Sequence, residues 1–296
     1  MASLKELQRR IASVKSTRKI TSAMKVVAAA KLRRAQARAE EARPYAEALE
    51  NMLRRVGQAV SQQANLSPLI SGTGREAIHL LLPITSDRGL AGGFNANINR
   101  KTRQMVKALQ AEGKTVKLFP VGKKGTDFLK REFSDIIIES RDGTGGKDVA
   151  FDYAQSLATR IETLYKEGVF DICTVVYNRF KNVMTQIPTE LQLIPLSHAD
   201  KVEEAASQKV EEAQYEFEPD EQTILDQLLP KNLQIQIFAA LLESAAGEQG
   251  ARMSAMDGAT RNAGKSIDRL SLQYNTTRQA NITNQLIEII SGANTV

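Results

Sequence analysis

The chain has 296 residues, 42% of them hydrophobic but only 5% aromatic, with no tryptophan and one cysteine. That composition supports a real core built mainly by helix packing, and it excludes an intramolecular disulfide. With no apolar run of about 18 residues and no signal-peptide pattern, neither a membrane span nor an export address is expected. The net charge of +6 is unevenly spread: residues 1–57 hold 14 Lys and Arg against 5 acidic residues, whereas residues 207–296 hold 7 against 12. The basic excess predicts an acidic partner for the N-terminal segment, be it nucleic acid, anionic lipid or an acidic protein surface. A merely solvated helix face is the plainer alternative.

From Met1 the first glycine is Gly57 and the only early proline is Pro44, which predicts one long helix over residues 1–60. At about 1.5 Å per residue it would extend roughly 90 Å, too long for a compact chain of this size to contain. Leu4, Leu7, Ile11 and Val14 follow 3/4 spacing, and Ile20, Met24 and Val27 take it up again after a slip, as in a coiled-coil seam with a break.

The pattern then changes. Short apolar runs at residues 77–84, 116–121, 136–139 and 170–177 read as buried strands, with a further one at 183–195. Helical stretches at 95–111, 125–132 and 148–167 alternate with them, so residues 75–197 should form a Rossmann-like α/β domain with a mainly parallel sheet covered on both faces. The loop Thr85-Ser86-Asp87-Arg88-Gly89-Leu90-Ala91-Gly92-Gly93-Phe94-Asn95 follows a strand and opens a helix, where such folds cradle phosphate. Its glycine spacing matches neither dinucleotide nor P-loop fingerprints, nor does Gly143-Thr144-Gly145-Gly146-Lys147-Asp148, so tight structural turns are expected. His79 and His198 lie far apart, Cys173 sits in an apolar run, and no nucleophile-elbow, zinc-protease or dithiol motif appears. Neither a catalytic site nor a cofactor or metal is expected.

Residues 198–221 form an acidic linker containing Glu203, Glu204, Glu211, Glu212, Glu216, Glu218, Asp220 and Glu221. It is either a solvated insertion or a contact surface for a neighbouring subunit. Residues 222–296 read as a second long helix with a seam through Met253, Met256, Thr260, Ala263, Ile267, Leu270, Tyr274 and Thr277. Gly247, Gly250, Gly258 and Gly264 each weaken it by about 1 kcal/mol relative to Ala, so packing must hold it. Both rods are joined through the intervening domain, which makes an antiparallel coiled coil the simplest pairing.

Three segments carry a family resemblance: Ile11 to Lys31, the loop from Thr85 to Asn95, and the tail from Glu248-Gln249-Gly250-Ala251-Arg252-Met253 through Tyr274 to Asn284. In this order around one α/β insert they resemble the gamma subunits of F-type ATP synthases, of the bacterial kind without a transit peptide. The resemblance spans essentially the whole chain. It implies a central rotor stalk that couples rotation of a c-ring to conformational cycling of catalytic beta subunits, with no chemistry of its own. The implied partners are the alpha, beta and epsilon subunits, delta within the complex, and the c-ring. The implied location is the inner cell membrane, peripheral and on the cytoplasmic side, with membrane contact through the c-ring only. Carried over by motif, Lys19, Met24 and Lys25 would lie near an acidic loop of beta, and Arg252, Arg278 and Gln279 would engage beta and alpha in the bore. Tyr215, Glu216, Glu218 and Asp220 would lie near the c-ring and epsilon, although Phe217 replaces the commoner Tyr there. The plant insertion with its regulatory cysteine pair is missing. Two other classes stand as controls: a basic coiled coil binding nucleic acid, which would show steep salt dependence, and a nucleotide-binding enzyme using the glycine loop.

Overall fold

A computed structural model describes residues 3–60, 68–143, 148–196 and 221–293, without the side chains of 43, 47, 50, 51, 53–60, 221–226 and 291–293. The acidic segment at 198–220, including Tyr215, Glu216, Glu218 and Asp220, and also His198, lies outside the described residues. The elements run α1 (Leu4–Val60), α2 (Pro68–Ser71), β1 (Ile78–Pro83), α3 (Phe94–Ala111), β2 (Thr115–Leu118), α4 (Lys123–Phe133), α5 (Phe151–Lys166), β3 (Ile172–Phe180), β4 (Gln186–Ile194) and α6 (Glu221–Ala293). They divide into two compact units, Met1–Ala30 with Arg252–Val296 and Lys31–Ala251.

The larger unit is built on a four-stranded sheet in the order β2-β1-β3-β4. β1 runs parallel to β2 and β3, and β4 returns antiparallel along β3 as the edge. The alternation of side chains along a strand assigns its two faces. Leu80, Leu82 and Ile84 of β1 join Leu157, Ile161 and Leu164 of α5 and Leu233, Ile237 and Leu241 of α6 in one core. Leu81 points the other way, onto Val106 of α3, Val116 and Leu118 of β2 and Leu129 of α4. Helices therefore cover both faces, as a sheet rich in continuous apolar strands requires. Below that core Leu49 of α1 meets Leu229 and Ile235 of α6.

The segment 136–139 is not a strand. A 3-10 turn occupies Ser134–Ile136, and the chain then touches the β2 edge only through single bridges, Ile137 to Leu118 and Arg141 to Val121. Between those bridges one side has one residue more than the other, and Pro120 has no N–H to donate, so no ladder can propagate. Ile138 is left 38% exposed.

The smaller unit is an antiparallel helix pair. Gln8 Nε2 donates to Tyr274 Oη at 2.9 Å, Thr260 Oγ1 to Thr21 Oγ1 at 2.8 Å, and Lys25 Nζ to Asp257 Oδ1 at 2.6 Å. Residue numbers fall on one helix as they rise on the other. The α6 seam runs as its spacing predicts, with Met256, Ala263 and Ile267 buried and Thr260, Leu270, Tyr274 and Thr277 half-buried. The α1 seam does not slip. The 3/4 run from Leu4, Leu7, Ile11 and Val14 continues through Arg18 to Thr21, Lys25 and Ala28, whereas Ile20 and Val27 are 57% and 56% exposed. Apolar spacing suggested the slip; polar partners across the pair overrule it. The same register sets the start of α1 opposite residues near 278, and from Arg278 to Ile290 every residue of α6 is exposed.

Candidate functional site

Two places could carry function: the crevice at the C-terminal end of the parallel strands, and the outer surface of the helix pair. In doubly wound sheets ligands bind where consecutive connections leave a strand in opposite directions. Here that point is the end of β1, with β2 on one side and β3 on the other.

The Thr85–Asn95 loop fills that point with its own side chains. Thr85 Oγ1 accepts from Gly125 N at 2.8 Å, and Ser86 O accepts from Lys124 N at 3.0 Å. Asp87 Oδ1 accepts from Lys123 N at 3.0 Å and Gly143 N at 2.7 Å, so the first turn of α4 already holds a carboxylate where a phosphate would sit. Asn95 clasps the loop from the other side, accepting from Ser86 N and donating to Ser86 Oγ. Gly122 is required by this closure: its φ is +99°, and a Cβ there would lie 2.1 Å from Thr85 O. The cavity left among Thr85, Asp87, Val121, Ser244 and Glu248 is about 30 Å³, room for a water and far below the several hundred Å³ of a nucleotide pocket. The crevice is a structural joint.

The titratable residues elsewhere in this unit fit structural roles. Burial, then the neighbouring Lys114, lowers the pKa of His79, which favours its neutral form. Cys173 is completely buried on β3, and burial pushes its thiol up, away from the reactive thiolate. Among the described residues no three His, Cys, Asp or Glu side chains group as metal ligands.

The helix pair is the other candidate. Lys19, Met24, Lys25, Arg252, Arg278 and Gln279 all fall in the smaller unit. Lys19, Arg278 and Gln279 are exposed, Met24 and Arg252 are half-buried, and Lys25 is drawn into the seam by Asp257. They occupy two levels. In the observed register Arg252 lies about one and a half turns beyond the level of Lys25 and Asp257, while Arg278 lies opposite the start of α1, 26 residues or about 39 Å from Arg252 along α6. Between and around them Ile20, Val26 and Val27 are more than half exposed, an apolar stripe beside Lys15, Arg18 and Lys19 on a helix that would otherwise be polar on that side. Spacing alone missed the Asp257 and Thr260 pairings; extending the first 3/4 run unbroken would have found them.

A family model described as ATP synthase matches residues 3–296. An ATP synthase gamma chain of Gluconacetobacter diazotrophicus is 63% identical over 296 residues, covering 100% of both chains, and one of Gluconobacter oxydans is 59% identical over 298, again covering all of both. The chain belongs to the ATP synthase gamma family. A solved chain of the Tetrahymena thermophila mitochondrial ATP synthase central stalk and c-ring is 28% identical with a TM-score of 0.63, covering 81% of this chain and 99% of that one. A chain from the Euglena gracilis mitochondrial ATP synthase shares the fold at 19% identity, with a TM-score of 0.70 over 99% of this chain and 94% of that one. A gamma chain is a subunit of a membrane-associated complex, and no described helix of this one is long and apolar enough to cross a membrane.

Proposed function

We propose that this gamma chain is the central stalk of a proton-translocating ATP synthase, turned by the c-ring and read by the catalytic beta subunits that surround it. The observation that carries the proposal is the helix pair, with cations and an exposed apolar stripe outside a seam closed by its own polar pairs. A shaft can bias the nucleotide affinity of surrounding sites only by contacting their states differently. An asymmetric surface does so. Lys19, Met24 and Lys25 would lie near an acidic beta surface, with Lys25 held by Asp257, and Arg252, Arg278 and Gln279 would contact alpha and beta at the two levels described. Tyr215, Glu216, Glu218 and Asp220 would meet the c-ring and epsilon, with delta elsewhere in the complex. The chain itself then supplies no catalytic group, and it rests on the cytoplasmic side of the inner membrane through the c-ring.

The test is Arg252→Ala with Arg278→Ala in an assembled complex. Charge-assisted hydrogen bonds contribute about 1.5–3 kcal/mol each when well formed. Nucleotide binding at the tightest site should survive, because the beta sites keep their own groups, while multisite turnover and coupled synthesis fall severalfold. Wild-type turnover in a correctly assembled double variant would remove these arginines from the coupling surface.

A further inference from the structure

Two seams of the same period are written into α1, one residue apart. The occupied one passes Thr21, Lys25 and Ala28; the other passes exposed Ile20, half-buried Met24 and exposed Val27 and is the more apolar over these residues. One residue corresponds to about 100° of helix rotation. Turning α1 by that angle over this stretch would replace Thr21 and Lys25 at the seam with Ile20 and Met24, without sliding the helix along its partner. Between residues 20 and 27 burial of apolar surface favours the turned state, since Ile20 and Val27 are 57% and 56% exposed as they stand, whereas Leu7 and Ala28, each 1% exposed, hold the present one on either side.

What opposes that turn is a connected polar set. Lys25 Nζ donates to Asp257 Oδ1 at 2.6 Å, and the other carboxylate oxygen of Asp257 takes Arg261 at 3.2 Å. One turn away Thr260 Oγ1 lies 2.8 Å from Thr21 Oγ1, its one proton shared between Thr21 and Met256 O at 2.7 Å, while Thr21 donates to Arg18 O at 3.1 Å. The cross-helix contacts, the Lys25–Asp257 ion pair above all, form in one orientation only, which is how polar residues at a seam select a register at some cost in stability. We propose that the Lys25–Asp257 ion pair and the Thr21–Thr260 hydrogen bond form a rotational lock, holding α1 so that Ile20 and Val27 face outward. The four are positioning residues. The inference concerns the helix pair itself and goes beyond the stalk reading, because it holds whatever surrounds the pair.

The experiment uses the full chain and the rate of maleimide labelling, with buried Cys173 giving a slow background. Val27→Cys and Ala28→Cys are made singly, in the parent and in an Asp257→Ala/Thr260→Val background that leaves Lys25 and Thr21 without their cross-helix partners. In the parent, position 27 should label about tenfold or more faster than position 28, following exposure. In the unlocked background, position 27 should slow and position 28 should speed up, and Asp257→Glu/Thr260→Ser should restore the parent ratio. An unchanged ratio would mean that packing sets the rotation, and acceleration at both positions would mean that the polar pairs merely hold the helices together. Either overturns the lock.

Discussion

Asp171 shows how one carboxylate secures the start of a strand. It accepts from Ala77 N at 3.1 Å, Ile78 N at 3.0 Å and Thr73 Oγ1 at 2.9 Å, tying the N-terminal end of β1 to that of β3. Burial pushes its pKa up, but those three donors and Arg75 outweigh it and hold the carboxyl below the usual range. Its stabilising contribution is therefore complete above the unfolded value of about 3.9 and is lost as pH falls through the lower folded value. Asp171→Asn should lower stability at pH 7 by about 1–3 kcal/mol and flatten the acid limb of the denaturation profile, which denaturant melts at pH 7 and pH 3 would measure. Gly122→Ala should cost about 3 kcal/mol, because it combines a left-handed backbone with a clash against a carbonyl that cannot move away. An equilibrium melt unchanged by that substitution would mean that the Thr85 joint is looser than its hydrogen bonds imply. Cys173 should stay unlabelled by iodoacetamide at neutral pH until the chain unfolds, and dithiol reductant should leave activity unchanged.

At the scale of elements, the glycines of α6 fall into two kinds. Gly247 and Gly250 sit against the β3–β4 hairpin, where an added Cβ would lie 3.4 Å from Phe94 and Gln186 and 3.2 Å from Phe180 respectively. Gly258 and Gly264 meet nothing within 4 Å. Gly258→Ala and Gly264→Ala should each stabilise the helix by about 1 kcal/mol, read as slower amide exchange between residues 254 and 268, while a side chain larger than Ala at Gly250 should destabilise the larger unit. Much of this architecture was legible in the sequence, because the long helices and the strands at 78–83, 172–180 and 186–194 announce themselves by period and by β-branched content. Two places depart from that pattern for one reason: an apolar residue does not by itself mark burial. Ile137 and Ile138 lie beside a sheet edge whose pairing fails at Pro120, and Ile20 and Val27 lost the seam to side chains whose partners stand more than 230 residues away. The tight joint at Thr85 was expected from its glycines, but Asp87 as the group that fills the phosphate position was visible only in three dimensions.

For the whole molecule, charge is sorted by segment: cationic along α1, acidic between residues 198 and 221. If the acidic segment is the foot on the c-ring or epsilon, Glu216→Gln, Glu218→Gln and Asp220→Asn together should weaken proton-driven synthesis severalfold and leave ATP hydrolysis by the detached soluble head nearly intact. Equal loss of both activities would point to misfolding of the subunit instead. The end of α6 carries a different consequence. Past Thr277 no other described helix accompanies it, and Ile282, Leu286, Ile287, Ile289 and Ile290 stand 48–67% exposed. A lone helix of about 15 residues is marginal in water, and one with so many bare isoleucines is adhesive. In the proposed stalk, that terminus would become stable only when other subunits close around it. Copies made in excess of those subunits would then be the first to aggregate or be degraded, so the burden of balanced production would fall on this terminus.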